Sequence, residues 1–287
     1  MSTALFTTEY GTAGPRLVFL HGLFGQGKNW TSTAKALAEP RLGPGARVAL
    51  VDLPNHGRSP WTADFSYSAM AAEVAGLLRE RYPGEAVGLV GHSMGGKVAM
   101  MLALEHPELV ERLAVVDVSP VAYDGLRSFA RYVEGMRSLD LDRLPDRSAA
   151  QQALAGYVED RLIRGFLLQN LRRTEDPDRP WRWQMNLDLL GDHLAEIGDW
   201  PETVVTPYEG PVLWIAGDDS DYVRPEFGPA MRALFPRTQL VTVKGAGHWV
   251  HAEQPEIFQA AIRRFAGLEP VRMHVPASGD GGADGTW

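Results

Sequence analysis

Short, nearly unbroken apolar runs recur along the chain at residues 16–21, 47–53, 86–90, 113–120, 210–217 and 239–243. Runs of that length bounded by turn residues read as strands buried on both faces, the kind found in parallel sheets. Between them the apolar residues return every three or four positions. A helix is predicted around residues 29–38. A second starts at Ser68 as its cap, carries Met70, Val74, Leu77 and Leu78 on one face, and stops at Tyr82-Pro83-Gly84. A third follows residue 93 with Val98 and Leu102 as its buried stripe and ends near His106-Pro107. A last one begins at Pro255 with Ile257, Phe258, Ala261, Ile262 and Phe265 on one face. Strands alternating with helices predict an α/β fold whose mostly parallel central sheet is covered by helices on both faces.

The pattern changes after Val121. Residues 122–206 are rich in Arg, Asp, Leu and Trp, with helical periodicity and no convincing strand. Phe129, Tyr132, Val133 and Met136 suit one helix, Leu154, Val158, Leu162 and Ile163 another, and Leu187, Leu190 and Leu194 a third. A helical insertion between two sheet strands reads as a lid. The expected organisation is therefore a core of residues 1–121 and 207–268, a helical lid of residues 122–206, and a disordered tail at 269–287, which has no periodicity. Trp181, Trp183 and Met185 are candidates for an acyl pocket or for plain packing.

Composition narrows the function classes. The chain has 287 residues, a formal charge of -8 and no cysteine. An acidic chain offers no basic surface to displace phosphate counterions, which opposes a nucleic-acid partner. Without cysteine there is no disulfide, thiolate metal site or cysteine nucleophile. No apolar run approaches the roughly 20 residues that span a bilayer, and residues 1–14 lack the basic and apolar parts of a signal peptide. A cytoplasmic protein is expected.

The chemistry gathers at the ends of the apolar runs. Gly91-His92-Ser93-Met94-Gly95 follows a strand and opens a helix, the setting in which G-x-S-x-G holds a serine at the tip of a strained turn. Ser93 is the candidate nucleophile, and the Met94 amide at the helix start can face an oxyanion. His21-Gly22 before a glycine-rich loop supplies a second amide, that of Leu23. His248, next to Gly247 in the loop after the last strand, is the candidate general base, with His251 as rival. The H-x-x-H spacing lacks partner acids for a metal, so no metal is expected. Asp117 ends the strand after the serine strand and shares its edge, while Asp218, Asp219 and Asp221 crowd the end of the following one. Asp52 and Ser59 tie the loop that holds His56.

Taken together, His21-Gly-Leu-Phe-Gly25, Asn55-His-Gly57, Gly91-His-Ser-Met-Gly-Gly-Lys97, Val116-Asp-Val-Ser-Pro120, Asn186-Leu-Asp188 and Ala246-Gly-His-Trp249 resemble the α/β-hydrolase fold family, in particular the YbfF-type bacterial esterases and their mitochondrial abhydrolase relatives. The likeness covers about residues 16–268 and implies cofactor-free hydrolysis of a small-molecule carboxylic ester, with Asp117 as the acid. The chain departs from that pattern in the acid-rich run at 218–221. Two other classes stay open. Residues 52–60 are also similar to menaquinone-pathway lyases of the same fold, in which Arg161, Arg164, Arg172 and Arg173 would hold a polyanionic substrate. The fold also serves slow-turnover ligand binders.

Overall fold

In the computed structural model, residues 5–39, 45–123, 127–201 and 206–268 are described. Among them, nine strands form: β1 (Thr7–Tyr10), β2 (Arg16–Leu20), β3 (Arg47–Val51), β4 (Val87–His92), β5 (Val110–Val116), β6 (Leu171–Arg173), β7 (Trp181–Trp183), β8 (Val212–Gly217) and β9 (Thr238–Val243). Seven make one sheet in the order β1-β3-β2-β4-β5-β8-β9, all parallel except β1, which runs against β3. The predicted strands are thus neighbours in a single sheet whose carboxyl ends share one edge.

Alternation along β2 shows how both faces are filled. Leu17 and Phe19 pack with Trp30, Leu37, Phe258 and Ile262, the apolar faces of α1 (Thr31–Ala38) and the C-terminal helix. Val18 and Leu20 point the other way, into a cluster with Val74, Leu78, Val98 and Leu102 of α2 (Tyr67–Arg81) and α3 (Met94–Glu105). Strand order reverses about β2, which has β3 on one side and β4 on the other. A crevice opens outside the carboxyl ends at such a switch point, and here it lies between the loops after β2 and β4.

The segment between β5 and β8 carries α4 (Arg127–Arg137), α5 (Arg147–Ala153), α6 (Arg161–Leu168), α7 (Leu187–Asp192) and α8 (Leu194–Gly198). It departs from the sequence reading in three ways. Leu187 and Leu190 lie in α7, but Leu194 opens α8, with His193 between the two helices. β6 and β7 pair as an antiparallel ribbon, too short at three residues each to show an alternating pattern. Leu154, Val158 and Leu162 do not share a helix, because a 3-10 turn at Leu154–Gly156 ends α5 and Asp160 caps a new helix, accepting from the amides of Leu162 and Ile163. After β8 come α9 (Gly228–Leu234), α10 (Val250–Glu253) and α11 (Pro255–Phe265). The cap of α2 is Ser66, not Ser68: Ser66 is extended and accepts from the Ala69 amide, while the Ser68 hydroxyl donates to Glu105. The tail at 269–287 lies outside the described residues.

Candidate active site

At the end of β4 the chain turns at Ser93 with φ 53° and enters α3 directly. The turn is possible because nothing larger than hydrogen fits beside it. A Cβ on Gly91 would come within 2.3 Å of the Gly95 carbonyl, and one on Gly95 within 2.4 Å of the His21 carbonyl. Asp117, just past β5, is also left-handed at φ 50°, as are Phe24 and Asn55 in the loops after β2 and β3. Each such residue costs about 1–3 kcal/mol. Among the described residues these four are the non-glycines with positive φ, and all lie just past the carboxyl ends of strands.

Strain at residues 93 and 117 aims two side chains at one imidazole. The His248 Nδ1–H donates to Asp117 Oδ2 at 2.7 Å, since a carboxylate oxygen can only accept. That tautomer leaves Nε2 free to accept from the Ser93 hydroxyl at 3.0 Å. Asp117 is fully buried, and its carboxylate also accepts from the Gly217 amide at 3.0 Å and the Ser220 hydroxyl at 2.5 Å. Asp218, Asp219 and Asp221 are exposed, and none is hydrogen-bonded to His248.

His248 is held from several sides. The Glu253 carboxylate accepts from the amides of Gly247 and Trp249 on either side of it. His92 Nε2 donates to the His248 carbonyl at 2.9 Å, and the Tyr222 ring stacks on the imidazole at 4.2 Å. Burial holds His92 well below the usual histidine range, with the neighbouring imidazoles adding to it, so it stays neutral. His251 packs its ring on Trp30 at 4.2 Å, and burial lowers it to about 3. It makes no hydrogen bond to Ser93.

The loop after β2 is fixed by two more neutral histidines. His21 Nδ1 donates to the Gly22 carbonyl and Nε2 accepts from the Leu53 amide. His56 Nδ1 donates to the Pro54 carbonyl and Nε2 accepts from the Phe24 amide. Burial lowers these groups to about 4 and about 3. Asp52 accepts from the amides of Gly27 and Arg58, and the Ser59 hydroxyl donates to the Asp52 carbonyl, as its loop position led us to expect. The Leu23 and Met94 amides both border the space at Ser93, and neither has an acceptor among the described residues.

Two adjoining cavities open there. One is lined by Gly22, Leu23, Ser93, Phe129, Phe166 and Trp249 among others. The second runs past Met94, Tyr123, Ile197 and Tyr222 to Lys97. Trp181, Trp183 and Met185 line neither; they border a separate groove with Trp61 and Met136. Trp181 is buried and donates to the Leu144 carbonyl, so it acts in packing.

Sequence reasoning passed over Ser220, Tyr222, His92 and Lys97. Ser220 lies inside the acidic run where only the carboxylates drew attention. Lys97 stands one helical turn after Ser93 and is 2% exposed. Its ammonium donates to the carbonyls of Gly198 at 2.8 Å, Asp199 at 2.5 Å and Val121 at 3.2 Å. A lysine in an otherwise apolar helix stripe, without a carboxylate at helical spacing, is the signal that could have marked it.

Among the described residues no helix is long and apolar enough to cross a membrane. Residues 15–255 match the alpha/beta hydrolase fold family. The mouse sn-1-specific diacylglycerol lipase ABHD11 is 43% identical over 255 residues, covering 88% of this chain and 80% of that protein. Esterase YbfF of Escherichia coli is 31% identical, covering 87% of this chain and 92% of its own. Among solved structures, a marine microorganism esterase superposes with a TM-score of 0.86 at 34% identity over 92% of this chain and 99% of its own. The chain belongs to the α/β-hydrolase fold family, as a serine hydrolase of the esterase and lipase type.

Proposed function

We propose that the protein hydrolyses small to medium acyl esters or thioesters through an acyl-enzyme. The observation that carries this reading is the unbroken series Ser93 Oγ, His248 and Asp117, with contacts of 3.0 and 2.7 Å, opening on a cavity with an apolar wall. Ser93 Oγ attacks the carbonyl carbon as His248 Nε2 takes its proton. The buried Asp117 carboxylate keeps the proton on Nδ1 and stabilises the imidazolium. The free amides of Leu23 and Met94 receive the oxyanion. Collapse breaks the bond to the leaving alcohol, which takes the proton from His248. Water then repeats the sequence in reverse and frees the acid.

Residues 122–206 act as the lid in this reading, since Phe129, Phe166 and Ile197 supply walls of the cavities at Ser93. Those apolar walls, and the relatives named as esterases and a diacylglycerol lipase, favour an uncharged acyl group. The lyase reading has less support. Arg164 spends its guanidinium on the carbonyls of Val158 and Glu159 and Arg172 on that of Gln169, and neither lines the cavities at Ser93. An acidic, cysteine-free chain suits a cytoplasmic setting. A series of p-nitrophenyl esters from acetate to decanoate, run beside Ser93→Ala, tests the proposal. Turnover that peaks at one chain length and vanishes in the variant is expected; turnover persisting in Ser93→Ala overturns it.

A further inference from the structure

Five cations converge on one side of the entrance to Ser93, drawn from four separate segments. Arg172 and Arg182 face each other across the β6-β7 ribbon. Arg147, at the start of α5, donates to the Leu171 carbonyl, and Arg172 to the Gln169 carbonyl and the Gln26 side chain. Lys28 stands two residues beyond Gln26. Arg58 joins it through Asp52, whose two oxygens accept the amides of Gly27 and Arg58. Among the described residues none of the five is ion-paired, although the chain holds 36 acidic residues against 28 basic ones. Like charges placed directly across a ribbon are destabilising, so the fold keeps them together at a cost. Burial first and then the neighbouring cations hold both Lys28 and Arg172 below their ordinary values.

The cluster is an open surface, with Lys28, Arg58, Arg147 and Arg182 exposed. It is also next to the entrance. Gln169 is bonded to Asn29, which lines the cavity at Ser93. From Gln169 a row at helical spacing runs back along α6 through Phe166, another lining residue, to Leu162, which is 82% exposed. Cations and a bare leucine thus border one opening. An exposed positive face with a protruding apolar side chain matches a lipid surface, where phosphates meet acyl chains. A screening length of about 8–10 Å lets the patch act locally while the acidic remainder turns away.

We propose that this rim docks the protein on an anionic lipid bilayer, with the exposed Lys28, Arg58, Arg147 and Arg182 over the headgroup phosphates, the half-buried Arg172 adding its charge behind them, and Leu162 in the acyl boundary. It rests on the ester-hydrolase reading only for what is delivered to Ser93, namely an ester-bearing lipid taken from the membrane.

The test is co-sedimentation of the full chain with vesicles of phosphatidylcholine alone or mixed equally with phosphatidylglycerol, at low and high salt. Wild type and Ser93→Ala should both bind the mixed vesicles at low salt, leave them at high salt and ignore neutral ones. The combined variant Lys28→Gln, Arg58→Gln, Arg182→Gln removes three exposed charges whose side chains make no hydrogen bond among the described residues. It should lose about 100-fold in partitioning, on the usual gain per cation near an anionic surface, with an unchanged melting temperature. Leu162→Asp should lose several-fold. Equal binding to neutral vesicles, wild-type binding by the charge variant, or binding of pyrophosphate or RNA without vesicles overturns the proposal. Vesicle binding by a protein that hydrolyses no ester leaves docking intact and ends the hydrolase reading; ester turnover without vesicle binding does the reverse.

Discussion

At the carboxyl edge of the sheet, Ser93 and Asp117 take their positions from strands in ladder register, whereas residues 127–201 reach that edge through a small set of buried polar ties. Ser93 and Asp117 follow directly on β4 and β5, and the ladder continues past the strands, with the Ser93 amide on the Val116 carbonyl and the Asp117 amide on that of Ile215. The cover is attached differently. Asn170 is fully buried, donates to the Phe24 carbonyl and accepts from Gln26; Lys97 holds Gly198 and Asp199; Tyr67 donates to the Ile197 carbonyl. A ladder tolerates the loss of one contact because its neighbours keep register. A buried polar tie leaves its partner unsatisfied when it is cut, at about 1–3 kcal/mol. Damage at the edge should therefore appear as lost chemistry in a stable protein, and damage to the ties as lost stability together with a misplaced wall.

The sharpest separation comes from Ser93→Ala, expected to lower kcat for a p-nitrophenyl ester by about 10⁶-fold with no fall in melting temperature. A rise in melting temperature would fit too, since alanine removes nothing the fold uses. Next is Asp117→Asn, expected to cost about 10²- to 10⁴-fold in kcat. The amide presents an N–H to an imidazole that must donate, or turns it toward Gly217 and Ser220 instead. Asp221→Asn, at an exposed carboxylate, should leave kcat within about twofold, as surface changes usually do. If the two variants exchanged effects, the edge would not be organised around residue 117.

The same division decided what could be read from the chain. Strands and candidate site residues at the edge were legible because two apolar runs end directly in them, Gly91-His92-Ser93 and Val116-Asp117, and Gly247-His248 lies on the loop that follows a third. The choice between Asp117 and the acids at 218–221 was not legible, since both strand ends lie within reach. What distinguishes them is a left-handed φ at 117 and the Ser220 hydroxyl folding back on its carboxylate. In the covering segment, helical periodicity located α4 and α7 but missed the break at Leu154–Gly156 and the three-residue strands. Their positions are set by tertiary contacts such as Trp181 to Leu144 and Gln184 to Asn170, between residues far apart in sequence. Local pattern carries no trace of those.

Among the ties, Asn170→Ala should have the largest effect. It leaves the Phe24 carbonyl and the Gln26 amide without their partner in the interior, worth about 3 kcal/mol in a denaturant titration. Phe24 follows Leu23, so kcat should fall about tenfold with it, a loss that a purely remote structural defect would not produce. Asn170→Asp should recover the acceptor for Gln26 but not the donor for Phe24, and with it stability more than rate.

The smaller effect among the ties, and the most specific to the cover, is the pH dependence contributed by Lys97. Burial lowers its pKa to about 7, against which Asp199 pulls it up. In the unfolded chain it titrates near 10.5. Between these values the unfolded state binds the extra proton, so stability attributable to this group rises as pH increases through 7 and levels off near the unfolded value. Lys97→Met removes that contribution. The wild type should gain about 2 kcal/mol on the variant between about pH 7 and 9, measured as the difference of two denaturant titrations at each pH. The three carbonyls match the three N–H groups of an ammonium, so below neutral pH the tie is complete but charged, and above it the charge is relieved while one hydrogen bond is lost. A difference between the two proteins that does not change with pH would mean that Lys97 stays charged throughout. The ends of the covering segment would then be held by the ammonium alone, with no titration acting on them.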